Sequence, residues 1–162
     1  MQPKPPSASH SVLTRWMGIQ DANMAGNVHG GTIMKMVDEV AGVAAVRHCG
    51  TRVVTAALDR MTFTEPVYVG HLVTVKATVN AAWRTSMEVG VRVESENVRT
   101  GEVTHTSTAY LTMVALTDAG QPTPVPAVEP QTDEERRRQR EAQLRRDNRL
   151  GERDEITRAR GE

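Results

Sequence analysis

The apolar positions of this chain change period once. Ile33, Met34, Met36, Val37, Val40, Ala41, Val43, Ala44 and Val46 recur at helical spacing and cover most of the helix circumference rather than one stripe. They predict a helix that follows the Asp21 to Gly31 loop and runs to roughly His48, stopped by Gly50, and that other structure must wrap. On either side the period shortens to two. His10 to Met17 reads as a first strand, and Val53 to Glu65 as a second that ends at Pro66 and the Gly70 turn. From Leu72 to Trp83, Val73, Val75, Ala77 and Val79 alternate with Thr74, Lys76, Thr78 and Asn80. Met87, Val89, Val91 and Val93 alternate with Glu88, Gly90, Arg92 and Glu94, and a long Thr-rich strand runs from Val103 to Leu116.

No second crossover helix separates these strands, so the sheet is expected to be antiparallel. Its apolar face must cover the one greasy helix, which gives an α+β roll with the sheet curled around it. The opposite sheet face is expected to be polar or paired with a second subunit. Long open edges invite aggregation, and edge-to-edge dimerisation removes them.

Composition sets the boundaries. Residues 1–9 are Pro- and Ser-rich and expected to be mobile, 10–121 form the domain, and 122–162 form a tail. In that tail Pro122, Pro124, Pro126 and Pro130 make a stiff linker, and Thr132-Asp133-Glu134-Glu135 signals a helix start. The arginine-rich stretch that follows is almost devoid of apolar residues, so a solvated helix or disorder is expected; the functional alternative is a patch for a nucleotide phosphate or an anionic partner. In a chain of 162 residues, 20 Lys and Arg balance 20 Asp and Glu, which argues against a nucleic-acid footprint. No window suits a bilayer and the N-terminus lacks a signal-peptide core, so a cytoplasmic protein without membrane contact is expected. The single cysteine, Cys49, excludes an internal disulfide and a clustered-cysteine metal site. Beside His48 at a helix end it reads as a small packing residue rather than a nucleophile.

The chemistry gathers in Asp21 to Gly31. A polar, glycine-rich loop that opens a helix offers unpaired backbone N–H groups to a developing oxyanion, and Asp38 follows on the same helix. A carboxylate on a largely buried helix is costly without a partner, so Asp38 is either functional or turned toward a wetter edge. His29 and Asn27 read as loop-stabilising side chains, and Gly30 and Gly31 also allow close packing.

The run from Asp21 to Glu39, DANMAGNVHGGTIMKMVDE, resembles the signature of hotdog-fold acyl-CoA thioesterases, close to the cytosolic (brain-type) acyl-CoA hydrolases and their bacterial single-domain relatives. The resemblance continues through Val53-Val54-Thr55-Ala56, Met61-Thr62-Phe63, Thr85-Ser86-Met87-Glu88-Val89 and Pro124-Val125-Pro126, and covers most of residues 11 to 145. It implies a dimer with the catalytic pair, Asn23 on the loop and Asp38 on the helix, shared between hotdog units. Asp38 would activate water, and Asn23 with the Gly30 N–H would stabilise the thioester oxyanion. Thr55 matches a position where the family sets a hydroxyl near that water. Arg84, Thr85 and Ser86 match its coenzyme-contacting edge. The implied activity is hydrolysis of acyl-CoA to fatty acid and coenzyme A without cofactor or metal, in a homodimer that assembles into a tetramer or hexamer. The alternatives are a non-catalytic acyl-CoA sensor and an acyl-thioester hydratase, whose usual His and acid motif the loop lacks.

Overall fold

A computed structural model describes residues 1–161. Six strands form one antiparallel sheet: β1 (Ser11–Trp16), β2 (Arg52–Leu58), β3 (Thr62–Phe63), β4 (Leu72–Ala82), β5 (Ser86–Asn97) and β6 (Glu102–Leu116). The order is β1-β4-β5-β6-β2, with β3 also paired to β6. Helix α1 (Gly30–Cys49) lies against one face of the sheet and helix α2 (Asp133–Arg160) against the other.

The period-two expectation holds on the inner face. Val73, Val75, Ala77 and Val79 of β4 are buried, as are Met87, Val89, Val91 and Val93 of β5. They close on Met36, Val37, Val40, Ala41, Ala44 and Ala45 of α1. Each fully buried Val or Met contributes about 1.5–3 kcal/mol over its exposed state. Gly50 ends α1 at φ +73°, a left-handed position that favours glycine, and its N–H returns to the Val46 carbonyl.

Three local expectations change. The single strand read over Val53 to Glu65 divides into β2 and β3, and β2 shifts register between Thr55 and Ala57. The pairing of β4 with β5 also shifts between Val79 and Ala81, so the alternation breaks there and Asn80 and Ala81 are both buried. The N-terminus, expected to be mobile, is tied down from Lys4 onward. Lys4 forms a parallel bridge with Val128, and the buried Ser9 hydroxyl accepts the Val79 N–H at 2.9 Å.

The arginine-rich stretch forms α2, opened by a reciprocal cap between Thr132 and Glu135. One face of it docks. Ala142 is fully buried, Arg145 grips Glu88, and Arg149 reaches Asp59 at 3.0 Å. Glu88, which alternation assigns to a solvated face, is 1% exposed.

Candidate active site

The loop before α1 is built by short polar contacts. Asp21 accepts from the Arg15 guanidinium at 2.6 Å and from the Gly18 N–H at 2.8 Å, while its carbonyl accepts the His29 N–H at 2.7 Å. The loop therefore begins and ends at one buried acid. Gly26 takes φ +84°, the left-handed position of the turn. The Asn23 Oδ1 accepts the N–H groups of Ala25 at 2.9 Å and Asn27 at 3.2 Å. Two backbone donors on one end of the carboxamide fix that end as oxygen, and Nδ2 donates to no acceptor among the described residues. Asn27 itself bridges to Tyr68 through backbone.

His29 is the N-cap of α1. Its Nδ1 accepts the Gly31 N–H at 3.0 Å, which assigns the proton to Nε2 in the neutral ring. The Gly30 N–H has no acceptor among the described residues, leaving one open donor at the positive end of a 20-residue helix. A Cβ on Gly31 would stand 3.1 Å from the His29 Nδ1, so this glycine permits the cap.

Two turns into α1, Val37 is buried but Asp38 is exposed in the single chain, on the side turned from the core. Of the two placements expected for this carboxylate, it takes the wetter edge of the helix. The Thr55 hydroxyl of β2 donates to the Asp38 Oδ1 at 2.5 Å and lies 3.4 Å from the Met113 sulfur. Residues 17 positions apart thus meet just where β2 shifts register. Around this pair Met34, Val43 and Val46 of α1 and Val54, Leu58 and Phe63 of the neighbouring strands are exposed. Asn23 makes no hydrogen bond to Asp38 or Thr55 within the chain.

Arg84, Thr85 and Ser86 lie in the tight connection between β4 and β5, closed by the Trp83 N–H to the Ser86 carbonyl at 2.8 Å. The Arg84 and Thr85 carbonyls accept from Val125 and Ala115, so the turn is held while the Arg84 side chain stays exposed. Helix α2 adds partners that the sequence reading did not include: Trp83 Nε1 donates to Gln143 at 2.9 Å, and Arg146 covers the Trp83 ring and reaches the Ser86 hydroxyl at 3.5 Å. No signal in the sequence reading pointed to these contacts, since α2 carries almost no apolar residue. A cleft of about 430 Å³ lies between α2 and the outer sheet face, lined by Lys76, Thr78, Arg92, Tyr110, Arg137 and Arg138. It is on the opposite side of the sheet from Asp38.

Comparisons with known proteins agree in direction. A family model described as the thioesterase superfamily matches residues 25–102. The cytosolic acyl coenzyme A thioester hydrolase of Rattus norvegicus is 36% identical over 139 residues, which are 85% of this chain and 36% of that protein. An apo-hexameric acyl-CoA thioesterase superimposes with a TM-score of 0.90 at 41% identity, over 94% of this chain and 97% of the other. An acyl-CoA hydrolase from Staphylococcus aureus, in complex with butyryl coenzyme A, coenzyme A and coenzyme A disulfide, does so with a TM-score of 0.88 at 35% identity, over 96% and 95%. Variants of that enzyme with an Asn, an Asp or a Thr changed to Ala are also solved, at positions successively 15 and 17 residues apart. Asn23, Asp38 and Thr55 have the same spacing. No helix among the described residues is long and apolar enough to cross a membrane.

Proposed function

The chain belongs to the thioesterase superfamily and is an acyl-CoA thioester hydrolase of the hotdog fold, and from that premise we propose that Asp38 and Thr55 hold the attacking water while Asn23 and Gly30 hold the thioester oxygen. The observation that carries this reading is the 2.5 Å hydrogen bond between Thr55 and Asp38, which joins a helix and a strand on the outward side of α1. The shared spacing with the three substituted residues of the S. aureus enzyme supports it.

The roles follow from the donors. Thr55 occupies one lone pair of Asp38 and fixes the carboxylate, leaving other lone pairs to accept a proton from water. The water oxygen bonds to the thioester carbon, and the charge moves to the carbonyl oxygen. Asn23 Nδ2 and the Gly30 N–H donate to it there. Collapse breaks the carbon–sulfur bond, and the coenzyme thiolate takes up the proton held by Asp38. His29 and Asn27 serve by holding the loop. Arg84, Thr85 and Ser86 receive the coenzyme at the β4–β5 turn.

Each site takes Asn23 and Gly30 from one protomer and Asp38 and Thr55 from its partner. Two features support a shared site. Asn23 makes no hydrogen bond with Asp38 among the described residues, and the apolar residues flanking Asp38 lie uncovered beside the edge strand β2. Dimers assemble further, into the hexamer of the solved relatives or a tetramer. The location is cytoplasmic, as the name of the rat relative supports.

The test is Asp38→Asn, which keeps shape and removes the base. Release of free coenzyme A from acyl-CoA falls by about two to four orders of magnitude while the circular dichroism spectrum is unchanged. Turnover within twofold of wild type removes Asp38 from the mechanism.

A further inference from the structure

We infer that Arg146, on helix α2, is a binding residue for a phosphate of the coenzyme, acting with Arg84 across the β4–β5 turn. The inference rests on the reading of this turn as the coenzyme's edge and names the group that α2 brings to it.

Arg146 has donors that no acid among the described residues uses. Five arginines of α2 are paired with carboxylates: Arg145 with Glu88, Arg149 with Asp59, Arg136 with Asp133, Arg137 with Glu141 and Arg138 with Glu134. Arg146 has no carboxylate partner among the described residues. It is nevertheless held in place and half-buried. Its guanidinium carbon lies 4.4 Å from the centre of the Trp83 ring, and one amino group reaches the Ser86 hydroxyl at 3.5 Å. Trp83 is itself fixed, by its indole N–H to Gln143 and its backbone N–H to Ser86.

A cation over an aromatic ring keeps N–H donors that the ring does not satisfy. The donors of Arg146 lie in the plane of the group, and Ser86 takes only one of them. A planar cation with its rotamer fixed beforehand loses little side-chain entropy when an anion arrives. Arg84 sits in the same turn with an exposed side chain and no acid partner among the described residues. Two guanidinium groups without carboxylates, one in the turn and one reaching the Ser86 hydroxyl beside it, match a doubly charged oxyanion. Within an acyl-CoA that chemistry belongs to the diphosphate or to the 3′-phosphate, and to no part of the pantetheine arm.

The test is Arg146→Ala, with Arg146→Lys beside it, assayed on acyl-CoA, acyl-dephospho-CoA and acyl-pantetheine. A lost charge-assisted hydrogen bond predicts that Arg146→Ala raises KM for acyl-CoA by about ten- to a hundredfold with little change in kcat. The preference for acyl-CoA over acyl-pantetheine falls by the same factor, and Arg146→Lys restores part of it. An equal loss of preference with acyl-dephospho-CoA supports the inference and identifies the diphosphate; a loss confined to acyl-CoA supports it and identifies the 3′-phosphate. If Arg146→Ala weakens acyl-CoA and acyl-pantetheine alike, the arginine only props Trp83 and the inference falls. It falls too if KM is unchanged. A wild-type protein that hydrolyses none of the three substrates overturns the hydrolase reading itself.

Discussion

The two faces of the sheet carry helices held by opposite means. On the inner face α1 is fixed by apolar area: Val37, Ala41, Ala44 and Ala45 are fully buried against β4 to β6. On the outer face α2 is fixed at a few polar points. Arg145 makes two hydrogen bonds to the buried Glu88, at 3.0 and 2.7 Å, and its guanidinium carbon lies 3.6 Å from the centre of the Tyr110 ring. Burial alone would lower the pKa of Arg145, but Glu88 outweighs it through hydrogen bonding and charge, and the net shift is upward. Asn80 donates to the same carboxylate at 3.2 Å from the irregular part of β4. The comparison teaches that a helix without an apolar stripe can still dock where the sheet supplies a buried acid. It also separates completeness from function. The outer face satisfies its charged pair within one chain, whereas the inner helix turns Asp38 and a cluster of apolar residues outward.

The largest expected effect tests whether the α1 side needs a second chain. Asn23→Ala and Asp38→Ala proteins are each inactive, since every site lacks one member. Refolded together in equal amounts, half of the dimers are mixed and each of these has one intact site, so about a quarter of the wild-type activity returns. Clean heterodimers without activity place the pair within a single chain.

Next comes the α2 side, which this contrast treats as self-sufficient. Arg145→Ala strands Glu88 with Asn80 as its remaining partner, and lowers unfolding free energy by roughly 3 kcal/mol, read from the urea midpoint. Replacing both members, as Glu88→Met with Arg145→Leu, recovers most of that loss because no charge is left buried. Failure of the double variant to recover would show that the pair has a role beyond holding α2.

The smallest effect lies where the end of α1 meets the segment leading to α2. His48 is fully buried, its Nε2 bonded to the Pro126 carbonyl at 2.8 Å and its Nδ1 without a partner among the described residues. Burial lowers its pKa below the ordinary value of 6.5; the Pro126 carbonyl opposes this and the Lys4 charge adds to it. The unfolded chain therefore binds the proton first, and the stability present above about pH 6.5 is lost as pH falls toward the folded value. Thermal melts from about pH 7.5 to about pH 5.5 should show a steeper decline for wild type than for His48→Gln. Parallel declines would mean that His48 contributes nothing to the dependence.

How much of this was legible in the sequence follows the same division. The inner layer was readable because one rule governs it: Val73, Val75, Ala77 and Val79 obey period two, and Gly50 stops α1. The resemblance supplied the candidates Asn23 and Asp38, and the structure adds the contact between Asp38 and Thr55. What escaped was the outer layer. Period two gives the face on which Glu88 lies but not what covers that face, and the covering element is so rich in arginine that hydropathy assigns it to water. The irregularity at Asn80 hides similarly, since one extra residue reverses the parity on which alternation depends.

The bridge between Lys4 and Val128 sets the order in which a growing chain can finish. Lys4 is fastened by a residue 124 positions further along the chain, so this contact closes only after the whole sheet has been made. At about 5–20 residues per second, α1 waits roughly 4–14 s between the emergence of Ala45 and that of Leu116 before its apolar surface can be fully covered. The apolar surface of α1 therefore stays incompletely covered until β6 has been made.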